Sequence, residues 1–284
     1  MKATLTLALT LCTAAAWSQT DVSLGWRSDS TQTAKAVSVT GDEYRKVLHH
    51  GPAIENMNMA VRIYFNHSGA VDVYSKANPS LELARYRWYP TEAEMAAGAG
   101  CDEYRVGKTI GLGGISLWDG EKEVKLVATR GREATARRTK KGAEICMLSK
   151  GVPYKGDTID VAVRVTACND SRWMTVEAEC VSGQKVQFVT GVNYHEGEDT
   201  DMGTGYVAAW GVHPADVVKN PLPIGGALRY DARKISRTSK TADMLMVVSK
   251  PARRLRTRIV AACSKEKEIN NRDAFVAFVR NQKK

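Results

Sequence analysis

The stretch His49–Lys76 reads HHGPAIENMNMAVRIYFNHSGAVDVYSK, and its alternation decides the fold. From Met57 the apolar residues fall on odd numbers: Met57, Met59, Val61, Ile63 and Phe65, then Val71 and Val73 after a turn. Successive side chains of a strand point to opposite faces, so the pattern predicts two strands that share one buried face. The turn reads as His67-Ser68-Gly69, a three-residue hairpin loop with Gly in the left-handed position. This register sets Phe65 against Val71 and Ile63 against Val73. On the other face it sets Tyr64 against Asp72 and Arg62 against Tyr74, with Lys76 near Ala60. A one-residue slip would bury Asp72, which fixes the parity. The second face carries Asn58, Arg62, Tyr64, Asp72, Tyr74 and Lys76. Water is the ordinary neighbour of such a face in an antiparallel sheet. Two tyrosines beside an arginine and a lysine also suit a ligand.

A second hairpin follows the same logic. Ile159, Val161, Val163 and Val165 alternate on one strand, and Met174, Val176, Ala178 and Cys180 on the next. Pairing Val165 with Val176 leaves 169–172 as the loop and sets Arg164 against Glu177, a favourable cross-strand pair. Cys168 then lies on the polar face and Cys180 on the apolar one, so the two do not bond.

The remaining chain is punctuated by turns. Residues 19–43 read as a polar lead-in or an edge strand, and Leu81–Tyr89 as a strand. Thr91 and Glu94 make a capping box for a short helix that Gly98 ends. Asp119-Gly120 predicts a tight hairpin. Gly111, Gly113 and Gly114 precede no Lys-Ser/Thr and no helix, so they signal close backbone packing rather than a phosphate loop. The basic run 130–141 reads as a solvated loop or strand edge. Strands are expected at 186–194, 206–213, 244–249 and 257–263, and a final helix capped by Asn271. Many short strands separated by turn chemistry predict a mostly β protein, a large antiparallel two-sheet sandwich with one or two short helices.

Lys2, the apolar run Leu5–Leu11 and Ala16-Trp17-Ser18 read as a secretory signal peptide over 1–18, followed by a single β domain over 19–284. Bulky Leu11 before Cys12 disfavours a lipid anchor. No later run is long enough to span a bilayer. Export to the periplasm or beyond is the expectation. Lys2 is the only charged residue of the leader, so the net charge goes from +10 to +9 on its removal. For an exported protein that basic balance disfavours nucleic acid and suits an anionic polysaccharide or oligosaccharide. Five cysteines remain (Cys101, Cys146, Cys168, Cys180 and Cys263), an odd number with no CxxC.

Of the five histidines, His49 and His50 precede the first hairpin, while His195 and His213 stand at strand ends. Catalytic groups often occupy such positions on a rigid scaffold. His67 sits in a turn and is assigned no role. No GxSxG, HxH or HExxH occurs, so neither a serine nucleophile nor a histidine-bound metal is expected. Glu196, Glu198, Asp199 and Asp201 could hold calcium through oxygen, without EF-hand spacing. No other cofactor is implied. Trp88, Tyr89, Trp118, Tyr194 and Trp210 lie near turns or strand ends, where rings can stack on sugars.

The blocks HHGPAIENMNMAVRIYF, VDVYSK, RYRWYPTE, IGLGGISLWDGEKEV, FVTGVNYHEG, YVAAWGVHP and PLPIGG resemble the domain-of-unknown-function family 4861, from about Ser38 to Phe278. The resemblance implies a sandwich of the galactose-mutarotase type. It also implies a secreted bacterial protein in a polysaccharide-utilisation setting, beside enzymes that process unsaturated uronic sugars. It supplies no catalytic residues.

The leading expectation is β-elimination, by a lyase or dehydratase, on a uronic-acid oligosaccharide. Such chemistry needs a group to neutralise the carboxylate, a base for the carbon-bound proton and an acid for the leaving oxygen. Arg62, Lys76 and Asn56 are candidates for the first, His49, His50 or His195 for the base, and Tyr64 or Tyr194 for the acid. Glu55, Tyr74, Trp88, Trp118, Trp210 and His213 are candidate binding residues. One alternative is a glycoside hydrolase using a pair from Glu55, Asp72 and Glu196. The other is a non-catalytic carbohydrate-binding or accessory protein, or an epimerase-like relative.

Overall fold

The computed structural model describes residues 19–282, so the signal peptide expected over 1–18 lies outside the described residues. In chain order, β1 (Thr20–Ser23), β2 (Lys35–Ser38), β3 (Ala53–Asn56), β4 (Met59–Ile63) and β5 (Val71–Ser75) precede α1 (Glu92–Ala96). Next come β6 (Ser116–Trp118), β7 (Glu123–Val124), β8 (Arg132–Thr139), β9 (Gly142–Tyr154), β10 (Asp157–Cys168) and β11 (Met174–Cys180). They are followed by β12 (Gln187–Asn193), β13 (Asp199–Gly203), β14 (Tyr206–Gly211) and β15 (Ile224–Tyr230). The chain closes with β16 (Ile235–Lys240), β17 (Met244–Ser249), β18 (Arg254–Cys263) and α2 (Arg272–Asn281).

The protein is a mostly β, antiparallel sandwich. A nine-stranded sheet runs β13-β14-β15-β18-β11-β10-β9-β8-β2. A four-stranded sheet (β1-β3-β4-β5) and a five-stranded sheet (β16-β17-β12-β6-β7) complete it. Apolar faces of all three meet in one core, with Val61, Ile63 and Val73 from the first small sheet, Phe188 and Val247 from the second, and Val165, Val176 and Ile259 from the large one. Residues 110–113 lace the two small sheets together. The Val71 amide donates to the Ile110 carbonyl, the Leu112 amide to Val71, and the Gly113 amide to Gly191 on β12. A Cβ on Gly113 would stand 2.3 Å from Ile259 Cγ2, so this segment needs glycine for close approach, as its sequence predicts.

The β10–β11 hairpin has the expected register, with Val165 against Val176 and Arg164 against Glu177. Cys168 is exposed and Cys180 buried, and all five described cysteines are free. Helix α1 has its capping box, and Asn271 caps α2. Helix α2 lies on the outer face of the large sheet, where Phe275 and Val279 pack with Trp210, Ala227 and Val260.

The first hairpin keeps its parity but shifts by two residues. Arg62 pairs with Asp72, Ile63 with Val71 and Val61 with Val73. The reason is Asn66. Its Oδ1 accepts from the amides of Ser68 and Gly69, while the Tyr64 amide donates to the Ala70 carbonyl, which closes a wider loop. An Asx turn of this kind competes with the shorter hairpin. The other corrections are local. Leu81–Tyr89 forms turns rather than a strand. Asp119-Gly120 begins a four-residue loop, because Asp119 Oδ1 accepts from the amides of both Glu121 and Lys122. The basic run is strand β8, with Arg132 1% exposed. β15 and β16 were not expected, and β13 takes part of the acidic loop. Most of the polar face of the first hairpin is covered by residues 77–106: Arg62, Asp72, Tyr74 and Lys76 are buried, while Asn58 and Tyr64 are half-buried.

Candidate functional site

Covering that face has two consequences. At its lower end Lys76 Nζ pairs with Glu55 and donates to the carbonyls of Asn56 and Ser80 (2.9 and 2.7 Å). Glu55 also accepts from the amides of Glu82 and Leu83. Every group here is occupied, so the pair staples the 77–83 segment to the sheet. Asn56 is equally occupied. Its Nδ2 donates to the Ser171 and Arg172 carbonyls, and its Oδ1 takes the Asn58 and Met59 amides. Glu55, Asn56 and Lys76, expected to meet substrate, are structural.

At the upper end the face opens into a cavity of about 420 Å³ whose lining includes Tyr44, Arg62, Tyr64, Tyr89, Asp102, Tyr104 and Arg105. Arg62 organises it. Its Nη2 lies 2.5 Å from Asp72 Oδ2 and 2.7 Å from Asp102 Oδ2, and its Nε donates to Asp72 at 2.9 Å. Its Nη1 donates to the Tyr74 hydroxyl, and the Tyr64 and Tyr74 rings flank the guanidinium at 5.0 and 4.7 Å. Asp72 is saturated, because Tyr64 donates to Oδ2 (2.6 Å) and the Val73 amide to Oδ1.

One guanidinium thus faces two buried carboxylates. Burial, with the Asp72 charge, pushes the Asp102 carboxyl up to about 7 against the pull of Arg62. A buried carboxyl with that value exchanges its proton near neutrality. Burial also raises Tyr64, Tyr74 and Tyr89, so these hydroxyls keep their protons.

His50 stands behind the tyrosines. Burial, reinforced by Arg62, lowers it to about 4, so it is neutral. Its Nδ1 contacts the Tyr44 carbonyl at 3.0 Å and its Nε2 the Tyr89 hydroxyl at 2.9 Å. A carbonyl can only accept, so the ring proton is on Nδ1 and Tyr89 donates to Nε2. The ring also stacks on Tyr44 (3.9 Å) and meets Trp88 edge-on (4.0 Å). His49 and His50 both adopt left-handed backbone (φ 53 and 61), an uncommon choice outside glycine that is concentrated at functional sites. His49 is 1% exposed and lies behind the hairpin, outside the large cavity.

The second group of expected residues converges beside the first. Arg105 lines the cavity, and its backbone carries the contacts. Its amide donates to His213 Nδ1 (2.9 Å), and its carbonyl accepts from His195 Nε2 (3.0 Å) and Asn193 Nδ2 (2.9 Å). The Tyr104 ring lies tilted against His213, with centroids 4.4 Å apart. The Arg105 side chain is 43% exposed and lies 3.8 Å from Asp216. Tyr194, Trp118 and Trp210 do not line this cavity. Tyr194 donates to the Thr241 carbonyl, Trp118 packs under Arg237, and Trp210 sits against Phe275 below α2.

A family model described as Domain of unknown function (DUF4861) matches residues 4–284. The chain belongs to this family. No curated protein matches it. Within this DUF4861 chain, sequence reasoning found Arg62, Tyr64 and His50 but missed Asp102, Tyr44 and Arg105. The sequence offers Asp72 only as a hydrolase carboxylate on the polar face. Asp102 and Arg105 fall in a segment without periodicity, and only the tertiary cover of the hairpin brings them to Arg62. Among the described residues no helix is long and apolar enough to cross a membrane.

Proposed function

We propose that this DUF4861 protein is an exported carbohydrate-active enzyme that cleaves or dehydrates uronic-acid-containing oligosaccharides by β-elimination. The observation that carries the reading is Asp102, a carboxyl that titrates near neutrality inside a cavity bearing tyrosine hydroxyls and a half-exposed arginine. Arg105, half-exposed with only long contacts to Asp216 (3.8 Å) and the Ala215 carbonyl (3.5 Å), is the cation that meets the sugar carboxylate, since Arg62 is committed to Asp72 and Asp102. Asp102 takes the carbon-bound proton α to that carboxylate. The electron pair forms the new carbon–carbon double bond, and the leaving oxygen departs with a proton from Tyr44, since the Tyr64 hydroxyl is committed to Asp72. His50 positions Tyr89 and Tyr44.

The hydrolase alternative has less support. Glu55 and Asp72 are saturated, and Glu196 is exposed on its loop. A non-catalytic binding role would need the aromatic rings without a titrating group among them. The test is incubation of the purified protein with a panel of uronate oligosaccharides, followed by ultraviolet absorbance of the conjugated product. A rise with at least one substrate is expected. Binding without any rise across the panel would replace catalysis by recognition.

A further inference from the structure

Beside the cavity, two chain segments, the β12–β13 turn and the end of β14, deliver His195, Glu198 and His213 to one point, with one ligand atom from each within 4.8 Å of the others. His195 follows β12, Glu198 precedes β13 and His213 follows β14. Glu198 is the unusual member. Its side chain is 1% exposed, and neither carboxylate oxygen makes a hydrogen bond. Its nearest charged-type neighbour is His213, with Nε2 3.6 Å from Oε1. That ring is 2% exposed. An unpaired buried carboxylate costs several kcal/mol unless a cation or a proton compensates it. The fold also makes room for it. A Cβ on Gly211 would stand 2.4 Å from Glu198 Cγ, so glycine there lets the acidic side chain lie inward.

We infer that His195, Glu198 and His213 bind a divalent transition-metal ion. The donor set is two imidazoles and one carboxylate, which selects zinc-like ions over calcium. Ligands about 2.0–2.2 Å from a tetrahedral ion stand about 3.4 Å apart. The His213–Glu198 pair is already near that spacing. His195, partly exposed on its loop, closes in by up to about 1.4 Å, the difference between 4.8 Å and about 3.4 Å. Its Nε2 proton is held by the Arg105 carbonyl, the outer bond that commonly orients a metal-bound histidine.

His213 gives a further consequence. Ligation through Nε2 puts its ring proton on Nδ1, and the Arg105 carbonyl 3.4 Å away is then its acceptor. The Arg105 amide must release Nδ1, so metal loading shifts the backbone of a residue that lines the cavity.

The test uses chelator-stripped protein, titrated with Zn²⁺ and separately with Ca²⁺ by calorimetry, with melting temperature as a second readout. The wild type takes one equivalent of Zn²⁺ and melts higher, while Ca²⁺ gives no saturable heat. Loss of an outer-shell partner weakens metal binding about 10–100-fold, so Glu198→Gln and His195→Ala, which remove ligands, weaken it at least about 100-fold. Metal-free Glu198→Gln melts no lower than metal-free wild type, because the lost charge was unpaired. His67→Ala, at an exposed turn, binds as wild type. Absence of one-equivalent Zn²⁺ binding overturns the assignment. So does Glu198→Gln binding within threefold of wild type, or saturable Ca²⁺ binding that competes with Zn²⁺. None of these readouts depends on a sugar substrate.

Discussion

Lys76→Met and Glu55→Leu test whether the covered face is held by its buried ion pair. Their side chains are 1% and 0% exposed. Breaking such a pair from one side costs about 3–5 kcal/mol. The two sides are not equivalent. After Lys76→Met, Glu55 keeps the amides of Glu82 and Leu83 and can take a proton, so the loss falls near the lower end, about 3 kcal/mol. After Glu55→Leu, a buried ammonium keeps only two carbonyls, and two backbone amides lose their acceptor at about 1–3 kcal/mol each. That variant should lose at least about 5 kcal/mol. The double variant should cost less than the sum, with coupling of about 1–3 kcal/mol. Burial already raises the Glu55 carboxyl against the pull of Lys76. In Lys76→Met it rises further, so this variant regains stability as pH falls and loses it as pH rises. Urea unfolding with an unchanged slope is the assay. Costs below about 1 kcal/mol for both single variants, or a larger loss for Lys76→Met than for Glu55→Leu, would refute the reasoning.

Asp102 makes a second stability prediction. Its carboxyl is raised to about 7 in the fold, whereas the unfolded chain ionises it near the ordinary value of about 3.9. The native state therefore binds the extra proton between those values, and this contribution is lost as pH rises through 7. The urea midpoint should fall between about pH 4.5 and 7.5 in the wild type, level off above that, and fall less in Asp102→Asn; parallel curves would contradict it. Gly113→Ala should overpack the seam against Ile259 and cost about 1–3 kcal/mol, plus the strain of φ +66, in thermal melts.

Much of the fold was legible because strand parity is a local property. Odd-numbered apolar residues placed Arg62, Tyr64 and Asp72 on one face, and Arg164 against Glu177. The hairpin register was not, because an Asn66 side-chain bond outweighed the shorter loop. The burial of Arg62 was hidden for a different reason: its cover is an aperiodic segment with no signal of its own. Arg132 misled for a related cause, since its guanidinium finds the Leu126 and His67 carbonyls across the chain. The histidines at strand ends were visible, and His195 meets Glu198 through i,i+3 spacing in one turn, but the approach of His213 is set by the pairing of β13 with β14.

The most direct test of the proposed chemistry is the elimination rate of Asp102→Asn on whichever uronate oligosaccharide the wild type converts. The cavity geometry predicts a loss of at least about 100-fold, as expected for removing a general base, with thermal melting within a few degrees of wild type. A folded Asp102→Asn protein that eliminates within threefold of the wild-type rate would contradict the account.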